Sequence, residues 1–377
     1  MDGEDESAVN RVEKQSEEDN KDATTPISEE TLRKKLVNEI EETKDPINLN
    51  LTQEETLTTT KTTEVKLTST ESQADEIVVS IQRQNKISQL TLLIRSRIDI
   101  LFQFLWLPFV TAIIATNGIL PIIQTSLAIG SSALIATSVY FYNDVIDRVM
   151  DSLNEIKKKN RPLASGKVDD KLAMRIIYVT GILGLILAWF ANINSFIIGV
   201  LWITILLAYS HPIIRLKKRY LLKEIITASG IVFSCILISY AVLNSLSFTA
   251  VTFTLFISLL SFGFIPVMQD SGDEYEDKLF DVKSISRYLT WKNKILFMCS
   301  GVIIFSVLFS LTYQQMGYTE IFPISMAILS LIFLGIDALP LFGEYSAVKV
   351  RRSRNIAYVY FMLINIIFIV GKITLPF

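Results

Sequence analysis

Cysteine and histidine are scarce in this sequence of 377 residues, which contains two cysteines and one histidine. Cys235 and Cys299 both lie inside apolar runs, where a cysteine usually packs as a small hydrophobic residue. A disulfide framework is therefore excluded as the source of stability. The single histidine, His211, is interpreted either as a base or as a loop residue without a catalytic role.

The first 80 residues have few aromatic residues, and they hold 21 Asp and Glu against 9 Lys and Arg, a net charge of −12. Such a segment cannot bury enough apolar surface to offset its ordering entropy, so we predict a disordered acidic tail over residues 1–85. Within it, Leu32, Leu36 and Ile40 have the spacing of a narrow amphipathic helix, either transient or a docking helix for a partner. No apolar run precedes residue 98, so we expect no signal peptide and expect the first spanning helix to direct insertion.

Long apolar runs fill the rest of the chain, which carries a net charge of +10. A helix needs about 20 apolar residues to cross a bilayer. Nine stretches qualify or nearly qualify, so we predict an all-α, polytopic membrane bundle of about nine transmembrane helices. The predicted spans are 99–120, 122–142, 172–191, 195–209, 224–243, 248–268, 295–313, 322–343 and 355–373.

The connections between these spans alternate in charge. The first, third, fifth and seventh contain no lysine or arginine, whereas every even-numbered connection is basic. Short basic loops face the cytoplasmic side, so the N-terminus and the even-numbered connections are predicted there, with the C-terminus opposite. The basic residues include Lys157, Arg161 and Lys167 after the second span, Arg215, Lys217 and Lys223 after the fourth, Lys278 and Lys283 after the sixth, and Arg351 and Arg354 after the eighth.

Acidic residues cluster where the second and sixth spans end. On a helix, the residues of the stretch 143–151 that fall on one face are Asn143, Asp144, Asp147 and Asp151. The second cluster consists of Asp273, Asp277 and Asp281, which repeat at i, i+4 and i+8 and so share a helix face. Asp270 lies on the same face if the helix is not interrupted at 271–272. Both spans run toward the basic side, so both clusters are predicted at the same membrane surface.

Carboxylates at one depth repel each other, and each would cost about 2.5–3.5 kcal/mol at the bilayer centre. Something cationic must compensate, either the adjacent basic loops or metal ions. Asp and Asn oxygens suit Mg²⁺, which completes its coordination with water and phosphate oxygens. Two opposed acidic faces with Lys and Arg above them therefore predict a clamp for Mg²⁺ and pyrophosphate. The alternative for a single run is a solvated helix end, and the membrane charge bias alone would explain the basic loops.

Three motifs carry a resemblance to a known family. The stretch NDVIDRVMDSLNEIKKKNRPLASGKV resembles the first signature of the UbiA-type intramembrane prenyltransferases, NDxxDxxxD followed by a basic RPLxSG loop. DEYEDKLFDVKS is similar to their second signature, DxxxDxxxD, and YSHPIIRLKKR is similar to their YSxxxRLKR loop. The resemblance covers about residues 90–377. It implies nine helices around a central cavity that binds a polyisoprenyl diphosphate through Mg²⁺.

The resemblance also implies a role for each matching residue. Four are expected to be catalytic: Asp144, Asp147, Asp277 and Lys217. The implied Mg²⁺ ligands are Asn143, Asp144, Asp147, Asp151, Asp273, Asp277 and Asp281. The implied substrate-binding residues are Asn143, Arg161, Lys167, Tyr209, Ser210, Arg215 and Lys283. Tyr140, Phe141, Tyr142 and Tyr275 are read either as facing an allylic cation or as an interfacial aromatic belt.

The implied reaction moves an isoprenyl group from its diphosphate to a membrane-soluble or amphipathic acceptor, either an aromatic or quinone precursor or a glycerol-phosphate ether lipid. The lipid bilayer is an expected partner, and nucleic acid is not. The alternative is a secondary transporter, since intramembrane acids often mark ion paths. Asp337, inside the eighth span, fits that alternative better than the two clusters do, because they lie at helix ends. A membrane scaffold would explain the acidic tail but not two matched acidic faces.

Overall fold

The structure, a computed structural model, describes residues 85–373. The chain divides into two units, Met1–Thr68 and Ser69–Phe377, and every described residue belongs to the second. The predictions for the N-terminal segment, namely the disordered tail and the helix around Leu32, lie outside the described residues.

Within residues 85–373, nine helices are long and apolar enough to cross a membrane, as predicted. Eight of them contain α2 (Ile98–Thr116), α3 (Ile122–Ile146), α6 (Asp170–Ala191), α7 (Ile193–Ser210), α8 (Leu222–Leu243), α9 (Phe248–Met268), α11 (Trp291–Thr312) and α14 (Ala347–Ile373). The eighth span in chain order is the helical stretch Ile321–Leu341, which begins with α12 (Ile321–Phe333). The shorter helices are α1 (Lys86–Ser96), α4 (Arg148–Ser152), α5 (Glu155–Asn160), α10 (Glu274–Leu279) and α13 (Leu339–Leu341).

Two of these helices begin well before the apolar runs that predict them, at 291 and not 295 and at 347 and not 355. Helix α11 starts at Trp291 because the side chain of Thr290 accepts a hydrogen bond from the backbone N–H of Asn293, which caps the helix ahead of its apolar part. Helix α14 starts at Ala347 and carries basic residues through its first turns. Hydropathy locates the membrane core, whereas capping locates the helix end.

Helix α2 lies between two groups of helices. On one side it packs against α3 and α8, and a core that includes Phe104 and Trp202 joins these helices to α6 and α7. On the other side it packs against α9 and α14, within a larger core that also contains α11 and α12. The acidic ends of α3 and α9 therefore come from different groups of helices.

Small residues bring neighbouring helices close together. Helix α6 approaches α3 through Gly184, where an added Cβ would lie 2.9 Å from the Ile135 side chain and 3.1–3.2 Å from backbone atoms of α3. About two turns before Gly184 on α6, the Ile177 carbonyl accepts a hydrogen bond from the Ser138 hydroxyl of α3 at 2.8 Å. The hydrophobic effect contributes little to helix association within lipid, so close packing and interhelical hydrogen bonds of this kind stabilise the contact.

The eighth span is not a regular α-helix. Helix α12 continues through a π-helical turn, Leu334–Ala338, into α13. Asp337 lies in this turn and is buried, and the Ser353 hydroxyl donates to its Oδ2 at 2.6 Å. The next residue on α14, Arg354, donates from Nη2 to the Met268 carbonyl at 2.6 Å. The π turn thus joins the start of α14 to the end of α9.

We predict that Gly184→Val separates α3 from α6, because its side chain would meet the α3 backbone, which cannot rotate away as a side chain can. Overpacking of this kind costs about 1–3 kcal/mol. The measurement is the midpoint of thermal unfolding in detergent micelles. Gly335→Ala is the matched control, since nothing lies within 4 Å of its Cβ position. Equal midpoints for the two variants would contradict the close approach at Gly184.

Candidate functional site

The first acidic cluster forms where α3 ends. Helix α3 stops at Ile146, Asp147 has non-helical dihedral angles, and α4 restarts at Arg148. The sequence predicted one continuous face, whereas the structure divides it between two helices. The side chains nevertheless stay on the inner side, because Asp144, Asp147 and Asp151 are all buried.

Each buried acid of this cluster has a basic partner. Arg97 donates from Nε to Asp144 Oδ2 at 2.8 Å and from Nη2 to Asp144 Oδ1, so the pairing is bidentate. Arg161 donates to Asp151, and buried Lys217 donates to Asp147. The loops that supply the last two follow different spans. Charge pairing therefore gathers three separate segments around the end of α3.

The amide Asn143 belongs to the same cluster. Its Oδ1 accepts a hydrogen bond from the Ser210 hydroxyl at 2.7 Å. Ser210 ends α7, and it lines the same cavity as its neighbour Tyr209. The YS pair predicted from the sequence is therefore brought against the first acidic motif.

The second acidic cluster follows α9. A short 3₁₀ turn, Asp270–Gly272, interrupts the helix before α10, at the position where the sequence left an interruption open. The ammonium group of Lys223 lies 2.9 Å from Asp270 Oδ1 and 2.7 Å from Asp277 Oδ2. Lys223 was counted in the sequence only as part of a basic loop, and Asp270 was not among the expected ligands. Here they form part of the cluster with Asp277.

The predicted helical repeat does not reach Asp281. Helix α10 ends at Leu279, and Asp281 has a left-handed backbone with φ of 51° and a side chain that is 69% exposed. The expectation of a single face running from Asp273 to Asp281 was therefore wrong, because the helix ends two residues too early. Lys283 is exposed as well, and neither residue lines the cavity.

Two predicted basic residues also differ in placement. Arg215 has a left-handed φ of 42° just before a 3₁₀ turn, and it does not line the cavity. That turn instead directs Lys217 inward. Lys167 lines the cavity but is exposed. The turn geometry after α7, which spacing alone does not specify, decides which basic residue of this loop reaches an acid.

One lysine joins the two clusters. The ammonium group of Lys157 lies 2.7 Å from Asp273 Oδ2 and 3.7 Å from Asp151 Oδ1. Asp151 follows the second span and Asp273 follows the sixth, so the two acidic ends meet within the reach of a single side chain. Lys157 and Arg97 were absent from the predicted site residues. A basic residue at the end of a span is explained equally well by the excess of Lys and Arg in cytoplasmic loops. For this reason the sequence alone does not identify a basic residue that pairs with the acidic clusters.

Members of both clusters line a cavity of about 1360 Å³, namely Asn143, Asp147, Asp151, Asp270, Asp273 and Asp277. Asp144, which pairs with Arg97, is not among the lining residues. Away from the acids the walls come from α2, α3, α8, α9 and α14 and are mostly apolar, with Gln103, Ser261 and Asn365 as polar members; the apolar residues include Leu107, Tyr140, Ile231, Ile257, Phe264 and Phe361. Of the aromatic residues considered from the sequence, Tyr140 lines the cavity. Phe141 is buried in a separate core and Tyr275 is largely exposed.

Burial shifts the pKa of two residues of the site, Asp151 and Lys217. It raises the pKa of Asp151, and the positive charges of Arg161 and Lys157 oppose that shift. It lowers the pKa of Lys217, against the stabilising charge of Asp147. In each case the partner's charge favours the ionised form, so a ligand that separates the pair must supply a replacement charge.

The donor set at the polar end suits a hard cation. No group of three His, Cys, Asp or Glu residues converges as a metal site within residues 85–373. Asp151 Oδ1 and Asp270 Oδ2 are buried without a hydrogen-bond partner, and both residues line the cavity. Oxygen ligands divided between two carboxylate clusters are the type that Mg²⁺ takes together with phosphate. The residues present therefore fit the magnesium ions expected from the sequence.

We predict that Asp147→Asn strongly destabilises the protein, because it leaves the ammonium group of Lys217 buried without a counter-charge. Breaking a buried pair in this way costs about 3–5 kcal/mol. The double variant Asp147→Asn/Lys217→Met is expected to recover most of the loss, measured as the thermal unfolding midpoint. Arg148→Gln is the control, since it breaks an ion pair with Asp170 that is solvent-exposed, worth about 0–1 kcal/mol. A single variant as stable as this control would contradict the buried pair.

Comparison with known proteins gives partial matches to two kinds of enzyme. The chain is 32% identical over 120 residues to a digeranylgeranylglyceryl phosphate synthase from Sulfurisphaera tokodaii, and the match covers 32% of this chain and 41% of that protein. It is 36% identical over 73 residues to a protoheme IX farnesyltransferase from Listeria welshimeri, covering 19% of this chain and 24% of that protein. These matches span less than half the length of either relative.

Solved structures match much more of the fold. A digeranylgeranylglyceryl phosphate synthase structure aligns with a TM-score of 0.59 at 22% identity, covering 76% of this chain and all of that one. A UbiA homologue from Archaeoglobus fulgidus, bound to DMAPP and Mg²⁺, aligns with a TM-score of 0.58 at 18% identity, covering 75% and 98%. The model of the UbiA prenyltransferase family matches residues 104–367. The chain therefore belongs to the UbiA prenyltransferase family.

Proposed function

We propose that this protein transfers an isoprenyl group from a polyisoprenyl diphosphate to a membrane-soluble or amphipathic acceptor, with Mg²⁺ as its cofactor. The observation that carries the proposal is the meeting of two acidic clusters, bridged by Lys157, at the polar end of an otherwise apolar cavity. A diphosphate with a hydrocarbon tail has this same division of polarity. The family, and the diphosphates named with the Archaeoglobus structure, support the same donor class.

The acidic and basic residues of the site have different roles in binding the donor. Asn143, Asp144, Asp147 and Asp151 of the first cluster and Asp273 and Asp277 of the second would hold Mg²⁺, and Asp270 adds a further buried carboxylate. When bound, Mg²⁺ supplies positive charge against the charge that develops on the diphosphate as it leaves. Lys217 and Arg161 are placed to contribute charge at the same point, since both already contact cluster acids.

The basic side chains play two parts in this proposal. In the structure they neutralise the acids, which would otherwise repel each other at short range. With a diphosphate and Mg²⁺ bound, these cations would contact the phosphate oxygens, and the acids would hold the Mg²⁺. Lys157 is central to this exchange because it contacts both clusters. In this proposal, donor binding replaces the ion pairs between acids and basic side chains with contacts between the basic side chains and phosphate and between the acids and Mg²⁺.

The apolar walls serve the chemistry beyond the diphosphate. An allylic cation reacts with water unless water is excluded from the site. The apolar side chains that line the cavity around the hydrocarbon tail of the donor would exclude it. Tyr140 lines this region near the first cluster, and its ring lies 5.9 Å from the Arg97 guanidinium carbon. An electron-rich ring at that position can also stabilise a nearby carbocation.

The acceptor is proposed from two classes, an aromatic or quinone precursor or a glycerol-phosphate ether lipid. The relatives differ on this point, as one is named for glyceryl phosphate and the other for protoheme. We also propose that the acidic motifs and the N-terminus lie on the cytoplasmic side, because the basic connections cluster there. Secondary transport receives less support, because Asp337 is hydrogen-bonded to Ser353 and does not line the cavity.

We predict that the purified protein in liposomes releases pyrophosphate from geranylgeranyl diphosphate only when Mg²⁺ and an acceptor are both present. Removing Mg²⁺ with EDTA is expected to abolish the release. Asp277→Asn should reduce kcat/KM by about a hundredfold or more, because a single preorganised charge contributes about that much. Pyrophosphate release and product mass are the measurements, with a panel of aromatic, glycerol-phosphate and porphyrin acceptors.

Asp170→Asn is the matched control for this assay. Asp170 is an acid near the same end of the bundle, it is partly exposed, and it does not line the cavity. We expect this variant to keep full activity. Release that persists in EDTA, or an Asp277→Asn variant as active as Asp170→Asn, would refute the proposed role of the clusters. Ion-coupled solute uptake by a variant that lacks Asp277 would favour transport instead.

A further inference from the structure

Helix α1, which precedes the first span, has two different faces. Its inner face packs on the protein: Leu93 is fully buried, and the side-chain oxygen of Gln89 accepts a hydrogen bond from the backbone N–H of Asp169 at 3.1 Å. The N-terminus is capped by the side chain of Asn85, which accepts from the Ile87 N–H. These contacts fix the rotation of the helix about its own axis.

The outer face of α1 is apolar and has no protein partner among the described residues. Ile87, Leu90 and Ile94 are 70%, 37% and 41% exposed, and they fall within an arc of about 60° on the helix. Lys86 and Arg95 flank this arc on opposite edges, and both are exposed. An apolar stripe between basic edges is the pattern of a helix that lies in a membrane interface, where the basic groups reach the headgroups.

Exposed apolar residues also follow the stripe along the chain. Ile98, directly after the break at Arg97, is 63% exposed. Phe102 and Leu105 are exposed on the same helix, α2. Since α2 is a spanning helix, these side chains meet lipid. The outer face of α1 is therefore followed directly in the chain by a lipid-facing surface.

Helix α1 is also connected to the first acidic cluster. Leu93 packs in one core with Leu163 of the RPLASG loop and with Val168, two residues after it. That loop begins at Arg161, the partner of Asp151. At the other end of α1, Arg97 occupies the break before α2 and pairs with Asp144. The helix thus holds the loop and Arg97 against two acids of the site.

We propose that α1 is an interfacial helix whose apolar stripe inserts into the lipid boundary, and that this lipid contact holds the RPLASG loop and Arg97 in place at the first acidic cluster. The lipid surface is the partner because the stripe has basic edges and is followed directly in the chain by the lipid-facing residues of α2. The alternatives are a second copy of the chain or the segment before residue 85. The first part of the proposal is independent of the proposed function; the second part rests on it.

The first test measures the surroundings of α1 directly. The full chain, with Cys299→Ser and buried Cys235 retained, is labelled with a nitroxide at Ile94→Cys, Leu90→Cys or, as control, Ser88→Cys, in liposomes of mixed neutral and anionic lipid. Collision with oxygen, which concentrates in lipid, is expected to exceed collision with a water-soluble nickel chelate at 90 and 94, with the reverse at 88. Preferential collision with nickel at all three sites would overturn the proposal. So would exclusion of both reagents at 90 and 94, which would indicate a protein cover.

The second test connects the lipid contact to the site. Ile94→Asp places a charge in the stripe, whereas Ser88→Asp places the same charge on the same helix outside it. We expect Ile94→Asp to raise the KM for geranylgeranyl diphosphate about tenfold, with a smaller change in kcat, because it displaces groups that position the site. Ser88→Asp should leave both unchanged. Equal kinetics for the two variants, with the nitroxides at 90 and 94 still in lipid, would refute the positioning role alone. An inactive wild type would instead count against the proposed function.

Discussion

The interaction on which the rest depends is the pairing of buried carboxylates with cations contributed by distant segments. A carboxylate removed from water is stable in its charged form only beside a positive charge. Asp144, Asp147, Asp151 and Asp277 are each buried and each has such a partner. The partners come from before the first span and after the second and fourth. Charge pairing therefore determines how the loops fold over the end of the bundle, and the same charges then determine what can bind.

The apolar bundle and the charged end constrain each other. Helices that associate weakly in lipid come together through close contacts such as that between Gly184 and α3, and residues of α2, α9 and α14 line the cavity within the bundle. Away from the acids, most of the side chains that line this cavity are apolar. A ligand with one polar and one apolar end is therefore favoured with its charge toward the acids. The polarity of the cavity thus favours one orientation of the donor, independently of individual hydrogen bonds.

Much of this architecture was predictable from the sequence, because it follows from local patterns. The nine spans follow from apolar runs, and the gathering of Asp151 and Asp273 at one end follows from their position after spans of the same direction. Sequence reasoning did not predict which cations pair with which acids. Arg97 and Lys157 have the same sequence context as any basic residue near a membrane end, and only the folded loops identify their partners. It also failed at Asp281, where a helix end changed the direction of a side chain that spacing alone would place on the acidic face.

The π turn of the eighth span has a consequence for sequence change in this protein. A π turn contains one residue more than the α-helical turn it replaces. Loss of one residue between Leu334 and Ala338 would restore a regular helix, yet it would rotate the helix before the deletion by about 100° relative to α13. The Ser330 hydroxyl, bonded to Tyr360 at 2.8 Å, and Asp337, bonded to Ser353, could then no longer face α14 together. Length is therefore more constrained than residue identity in this part of the chain, and a substitution there is easier to accommodate than a deletion.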